Sequence, residues 1–124
     1  MTTEAVGQKS ILIVDDEKLI RWSLSELFRR EFKVYSEGSA EEALALLSHV
    51  PVDIILTDLK MPGMDGLEFI DLLGRTYPEV RIYALTAYAS PRTVQELLAR
   101  GARRVISKPF DLNVIREMIV APDF

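Results

Sequence analysis

The chain alternates strand-like and helix-like segments along its 124 residues. Five short strand-like runs are each followed by a segment whose apolar residues recur every three or four positions. This alternation is typical of a parallel β-sheet with helices on both faces, because parallel strands need long crossover connections. The sequence therefore predicts a doubly wound α/β fold with five strands and five helices.

The ends of these elements can be predicted from residues that cap or interrupt regular structure. The strands are expected at residues 10–15, 33–35, 52–57, 80–85 and 104–106. The helices are expected to begin at Glu17, Ser39, Asp65, Ser90 and Asp111. The first helix has an apolar face that includes Leu24 and Phe28, with Arg21 on the side away from it. Pro122 is expected to end the last helix.

Composition and charge narrow the class of protein. With 124 residues and no cysteine, the chain predicts one domain that needs no disulfide and offers no thiolate metal site. No apolar run reaches the roughly 18 residues of a membrane span, and no signal peptide is evident, so we expect a cytoplasmic protein. A formal net charge of -4 argues against direct nucleic-acid binding. Residues 1–9 predict a flexible tail ahead of a domain at 10–124.

Polar residues of three kinds follow the predicted strands. Asp15 and Asp16 follow the first strand, Asp58 the third, Thr86 the fourth and Lys108 the fifth. Parallel strands bring their carboxyl ends to one edge of a sheet, where open α/β proteins bind ligands. Three clustered acids cannot all ionise cheaply without a cation, and Mg²⁺ suits carboxylates that share it with a phosphate. Acids, a hydroxyl and an ammonium group together indicate a phosphoryl-transfer site.

These residues lie in four motifs that resemble one family. The motifs are Val14-Asp15-Asp16, residues 57–66 (TDLKMPGMDG), Leu85-Thr86-Ala87 and Ser107-Lys108-Pro109-Phe110. Together they are similar to the receiver domain of two-component response regulators, from about residue 10 to residue 120. The segment 20–24 (IRWSL) looks closest to receivers of nitrogen-regulator-type transcription activators. The resemblance implies a flavodoxin-like sheet with strand order 2-1-3-4-5.

The resemblance also implies how the acids work. Asp58 corresponds to the phospho-accepting aspartate, and Asp16 to a direct Mg²⁺ ligand. Asp15 corresponds to an acid that acts on the metal mostly through water, and the backbone carbonyl of Lys60 to a further ligand. The expected cofactor is therefore Mg²⁺, held by these four residues.

The expected switch residues include one departure from the family. Thr86 corresponds to the switch hydroxyl and Lys108 to the phosphate-pairing lysine, and the bond before Pro109 is expected to be cis. The family usually has a tyrosine or phenylalanine three residues before the lysine, where this chain has Val105. Tyr88 is a candidate to take the role of the missing ring and to shade the site from water.

A basic cluster near the fourth helix and fifth strand is a second departure. Arg103 and Arg104 stand where many relatives carry acids, and together with Arg100 they form the cluster. We expect a solvated charged patch, with contact to an acidic partner or a second copy as the alternative. A homodimer would use the face of the fourth helix, fifth strand and fifth helix.

Three functions fit these residues to different degrees. The first is a switch in which Asp58 takes a phosphoryl group from a sensor histidine kinase or a phosphotransfer protein and biases the Thr86 loop and the fourth helix. Such a domain would catalyse only its own phosphorylation and dephosphorylation, and would control transcription through a further domain. The second is a docking module that needs no phosphate, supported only by Val105. An aspartyl-phosphate phosphatase is disfavoured, because those enzymes have a second acid where this chain has Lys60.

Overall fold

The computed structural model describes residues 8–60 and 63–120. Most of the predicted tail, two residues of the loop after Asp58 and the helix stop predicted at Pro122 lie outside the described residues. The strands are β1 (Ser10–Val14), β2 (Lys33–Glu37), β3 (Ile54–Asp58), β4 (Arg81–Thr86) and β5 (Ala102–Ser107). The helices are α1 (Lys18–Phe28), α2 (Ala40–Leu47), α3 (Gly66–Thr76), α4 (Pro91–Ala99) and α5 (Leu112–Val120).

All five strands join one parallel sheet in the order β2-β1-β3-β4-β5. The predicted α/β fold and strand order are therefore confirmed. The pairing places Asp58 beside Leu85 and Thr86 beside Ser107. Because neighbouring strands end at the same level, the polar residues that follow them meet at one edge of the sheet.

Helices cover both faces of this sheet, and alternate residues of the central strands point to opposite sides. Leu12 and Ile55 pack in an apolar cluster with α2, α3 and α4. Ile13 and Leu56 pack in a second cluster with α1 and α5. Most predicted apolar helix faces are buried, although Leu98 on α4 is 46% exposed. No described helix has both the length and the apolar character needed to cross a membrane.

The two edge strands are longer than the sequence predicts. β2 continues to Glu37, two residues past its predicted end, and β5 covers 102–107 where the prediction gave 104–106. Edge strands carry exposed polar residues, such as Arg103 and Arg104 in β5, which interrupt the apolar pattern. Their length is set instead by backbone pairing with β1 and β4.

The carboxyl ends of α3 and α4 meet through two glycines. A Cβ atom on Gly74 would lie 2.6 Å from the carbonyl oxygen of Arg100, and one on Gly101 would lie 3.2 Å from Cα of Gly74. Gly101 has a φ of 122°, a conformation that L side chains rarely adopt. Arg100 also pairs with Asp71 on α3, at an N to O distance of 3.9 Å. The two helix ends are thus in direct backbone contact.

Candidate functional site

The site begins where β1 ends, at two acids in different environments. Asp15 is fully buried, whereas Asp16 is exposed. The backbone N–H of Asp15 donates to the carbonyl of Glu37 at 3.2 Å, and its side-chain Oδ1 accepts from the N–H of Glu17 at 2.9 Å. Its own carbonyl accepts from Nη1 of Arg21 at 2.6 Å. The buried acid is therefore fixed by three contacts.

Asp58 ends β3 and faces the lysine that follows β5. It is 4% exposed, and its Oδ1 accepts from the N–H of Lys60 at 3.3 Å. Nζ of Lys108 lies 3.2 Å from Oδ2 of Asp58 and 3.8 Å from Oδ2 of Asp15. The bond between Lys108 and Pro109 is cis, as predicted. The ammonium group of Lys108 thus lies close to two carboxylates, one directly after β1 and one at the end of β3.

Three carboxylates at this edge are close enough to share a cation. Asp15, Asp16 and Asp58 each offer an oxygen, and these atoms lie within 4.8 Å of one another. Oδ2 of Asp15 is buried and accepts no hydrogen bond from any residue that the structure describes. An unsatisfied buried carboxylate oxygen in an all-oxygen set fits a hard divalent ion such as Mg²⁺. These residues could therefore bind a metal.

The burial of Asp15 changes its acidity. Burial raises the pKa of the carboxyl group, against the hydrogen bond from the N–H of Glu17. The charge of Asp58 raises this pKa further, while the ammonium of Lys108 lowers it. Because the pKa is higher in the folded state than in the unfolded chain, folding stability is greatest below the unfolded value and falls as the pH rises through the folded value. At a pH above the folded value, the ionised Asp15 therefore destabilises the metal-free domain.

Because the buried charge of Asp15 destabilises the metal-free domain, a substitution that removes this charge should stabilise the domain. Asp15→Asn keeps an oxygen that can accept from the N–H of Glu17 and removes the buried charge. We expect it to raise the melting temperature of the metal-free domain at a pH above the folded pKa of Asp15, because the buried charge is then absent. The gain should shrink as the pH falls and disappear below the pKa of an aspartate in the unfolded chain, where the carboxyl group is protonated in both states. Thermal melts at several pH values measure this difference.

Asp111→Asn is the matched control, because Asp111 is exposed and accepts from backbone N–H groups at the start of α5. Asparagine caps a helix about as well as aspartate, so this variant should melt close to wild type. An Asp15→Asn variant that melts below wild type at a pH above the folded pKa of Asp15 would contradict the argument from buried charge.

The acids open into a cleft of about 760 Å³. Its walls come from the loops after β1, β3, β4 and β5: Asp16, Glu17, Asp58, Lys60, Thr86, Ala87, Tyr88 and Lys108. The Thr86 hydroxyl is engaged by the loop that follows it, accepting from the N–H of Tyr88 at 3.1 Å and lying 3.3 Å from its carbonyl. Tyr88 is 77% exposed, so in this conformation it stands at the rim and leaves the cleft uncovered.

The sequence-predicted residues thus fall into two groups. The predicted acids, Lys60, Thr86 and Lys108 meet at the site, with Tyr88 at its rim. Val105 is not among the cleft residues: it pairs with Ala84 within the sheet and packs against the cluster beneath α4. Arg21 was predicted to point away from the core, yet it contacts the backbone of Asp15. Its spacing from the acid pair, one and a half helical turns later, is the only sequence signal for this contact.

Comparison with known proteins identifies the family. A family model described as the response regulator receiver domain matches residues 11–120. The chain belongs to this family. Receiver domains are signalling domains that act with sensor kinases in two-component systems, and the chain is such a domain. The cleft described above therefore lies within a receiver domain.

Individual relatives are similar over most of this chain. Sporulation initiation phosphotransferase F of Bacillus subtilis is 34% identical over 112 residues, which are 90% of this chain and 90% of that protein. The DNA-binding transcriptional regulator NtrC of Proteus hauseri is 30% identical over 105 residues, 84% of this chain and 22% of that protein. The chain spans about a quarter of the length of the transcription regulators it matches. The homologues therefore include both short and multidomain regulators.

A solved structure gives the same picture of the fold. The chemotaxis response regulator CheY4 of Vibrio cholerae superposes with a TM-score of 0.85 at 30% sequence identity. The match covers 91% of this chain and 97% of that one. The described fold is therefore that of a receiver domain.

Proposed function

We propose that this receiver is a phosphorylation-controlled switch whose acceptor is Asp58. The observation that carries the proposal is the pairing of a nearly buried strand-end carboxylate with Lys108, at 3.2 Å, beside two further acids. A carboxylate oxygen of Asp58 would attack phosphorus, forming an acyl phosphate as the bond to the donor's imidazole breaks. The donor would be a sensor histidine kinase or a phosphotransfer protein.

The remaining residues of the cleft would bind the metal ion and stabilise the negative charge of the phosphoryl group. Asp16, Asp58 and the carbonyl of Lys60, with Asp15 acting through water, are the groups that would hold Mg²⁺, which supplies positive charge against the phosphoryl oxygens. Lys108 would pair with the new phosphoryl group while keeping its contact with Asp15. The proposed metal site is supported by Oδ2 of Asp15, which is buried and accepts no hydrogen bond from any described residue.

The output would follow from the hydroxyl of Thr86. That hydroxyl is now engaged by Tyr88, and a phosphoryl group of about -1.5 to -2 charge on Asp58 would compete for it. Breaking the contact with Tyr88 would release the loop between β4 and α4. Val105 has a β-branched side chain with few rotamers and is held within the sheet, so we propose that it takes little part. A further domain would read the α4 face to control transcription.

Beryllofluoride with Mg²⁺ is the test, because it mimics the phosphoryl group without turnover. NMR spectra should show large amide shifts at residues 86–90 and small ones at Val105. Tyr88→Ala should weaken the shifts along α4, since the loop then lacks its ring. No Mg²⁺-dependent response in the wild type would reject the switch and favour a docking module that needs no phosphate. Largest changes in β5, with the response of Tyr88→Ala intact, would reject only this account of the loop.

A second copy of the chain is a further proposed partner, through the face of α4, β5 and α5. Leu98 on α4 and Val114 on α5 are 46% and 45% exposed, and a dimer through this face would remove their apolar surface from water. Their contact in a dimer would be coupled to the site through the same loop and helix.

A further inference from the structure

Arg21 lies on α1, outside the cleft, yet it reaches the backbone of the acid pair. Its Nη1 donates to the carbonyl oxygen of Asp15 at 2.6 Å, and the side chain is half-buried. A charged donor at this distance makes one of the stronger hydrogen bonds found in proteins. This contact is to the backbone of Asp15 and involves neither the acceptor Asp58 nor any carboxylate proposed to hold the metal.

The oxygen that Arg21 holds belongs to the peptide that joins Asp15 to Asp16. The orientation of this peptide decides where the side chain of Asp16 starts. Asp15 is fixed on its other side by Glu37 and Glu17, whereas no hydrogen bond or ion pair holds the carboxylate of Asp16 within the part of the chain that the structure describes. The direction of the Asp16 side chain relative to the cleft therefore depends on the orientation of its backbone.

Gly38, in the loop after β2, leaves the space that the guanidinium occupies. A Cβ atom at Gly38 would lie 2.9 Å from Nη1 of Arg21 and 3.6 Å from its Cζ. Such a contact is too close to persist, and the end of the flexible arginine would move more readily than the backbone. A methyl group at position 38 would therefore displace the guanidinium while leaving Arg21 and every residue of the cleft chemically intact.

We infer that Arg21 is a positioning residue for the metal site, and that Gly38 provides its seat. The guanidinium orients the peptide between the two acids so that Asp16 can reach a cation shared with Asp58. This inference rests on the proposed Mg²⁺ site and adds two residues that support it without touching the ion.

Arg21 could affect the metal site by orienting Asp16 or by its positive charge, and these two roles predict opposite changes in Mg²⁺ affinity when Arg21 is removed. A positive charge close to the acids repels Mg²⁺, so removing it would tighten binding if charge were the only role of Arg21. If Arg21 orients Asp16, removing it weakens binding despite the loss of repulsion. A role in folding alone would lower the melting temperature and leave affinity unchanged.

The experiment compares Arg21→Met, Gly38→Ala and the double variant by NMR titration with Mg²⁺ and by thermal melts. We expect each single variant to weaken Mg²⁺ binding about fivefold, the size of one lost charged hydrogen bond after partial offset by reduced repulsion. The double variant should bind no more weakly than Arg21→Met, because no guanidinium is left to displace. The amide of Asp16, in the same peptide, should shift in both single variants before Mg²⁺ is added.

Arg29→Met is the matched control, since Arg29 lies at the carboxyl end of α1 and, among the residues that the structure describes, pairs only with exposed Glu26. It should bind Mg²⁺ like wild type. Tighter or unchanged binding by both Arg21→Met and Gly38→Ala would overturn the inference while the metal site stands, provided that Asp16→Ala abolishes binding. If Asp16→Ala binds Mg²⁺ as tightly as wild type, the proposed metal site is wrong and the inference falls with it.

Discussion

Asp58→Asn should abolish covalent modification of the chain by acetyl phosphate in the presence of Mg²⁺. The carboxamide has no anionic oxygen to attack phosphorus, and no other described carboxylate combines burial at a strand end with a 3.2 Å contact to Lys108. Intact-protein mass spectrometry should find one added phosphoryl group in the wild type and none in the variant. The variant should remain folded, because losing one of two neighbouring negative charges relieves repulsion with Asp15.

Asp65→Asn is the control for the chemistry of the substitution. Asp65 is exposed, lies in the same loop and accepts from the N–H of Leu67 at the start of α3, a role that asparagine fills equally well. Its labelling should match wild type. Labelling of Asp58→Asn at the wild-type yield would place the acceptor elsewhere and remove the central proposal.

Gly66→Ala should strongly destabilise the domain and distort the site. Gly66 opens α3, where an alanine would normally stabilise a helix by about 0.5 to 1 kcal/mol. Here its Cβ would lie 2.3 Å from the carbonyl oxygen and 2.7 Å from Cα of Leu59, both backbone atoms. Leu59 is itself fixed, since its N–H donates to the carbonyl of Leu85 at 3.1 Å. The clash therefore outweighs the helix propensity, and we expect a net loss of about 2 kcal/mol, or roughly 8 °C in melting temperature.

The clash in Gly66→Ala would displace Leu59, which lies between Asp58 and Lys60. We therefore expect Mg²⁺ affinity to fall together with the stability of the domain. Gly38→Ala serves as the comparison, because its Cβ would meet only the end of a flexible side chain. That variant should lose less stability than Gly66→Ala. A melting temperature for Gly66→Ala at or above that of wild type would mean that the loop after β3 adjusts without cost.

The acids of the site were predictable because parallel strands fix where their ends meet. Asp15, Asp58 and Lys108 each follow an apolar run, and the sheet order then leaves one edge at which they can converge. The contact of Arg21 was not predictable, because it depends on how α1 crosses β1. A long polar side chain on the outer part of a helical wheel looks solvent-exposed until that packing is known. The same limit applies to Thr86, whose partner Tyr88 is set by a loop conformation and not by periodicity.

The contact between Gly74 and Gly101 holds the carboxyl end of α4 against α3. We therefore expect α4 to tilt about this end when its other end moves. The helix has nine residues and is about 13 Å long, and its other end starts at Ser90, directly after the Thr86 loop. A shift of about 2 Å at that end would tilt the helix by roughly 9° and leave its pivot nearly still. A protein that binds α4 would therefore gain most discrimination between the two states from contacts near Pro91. Contacts near Arg100 would provide affinity that changes little with phosphorylation.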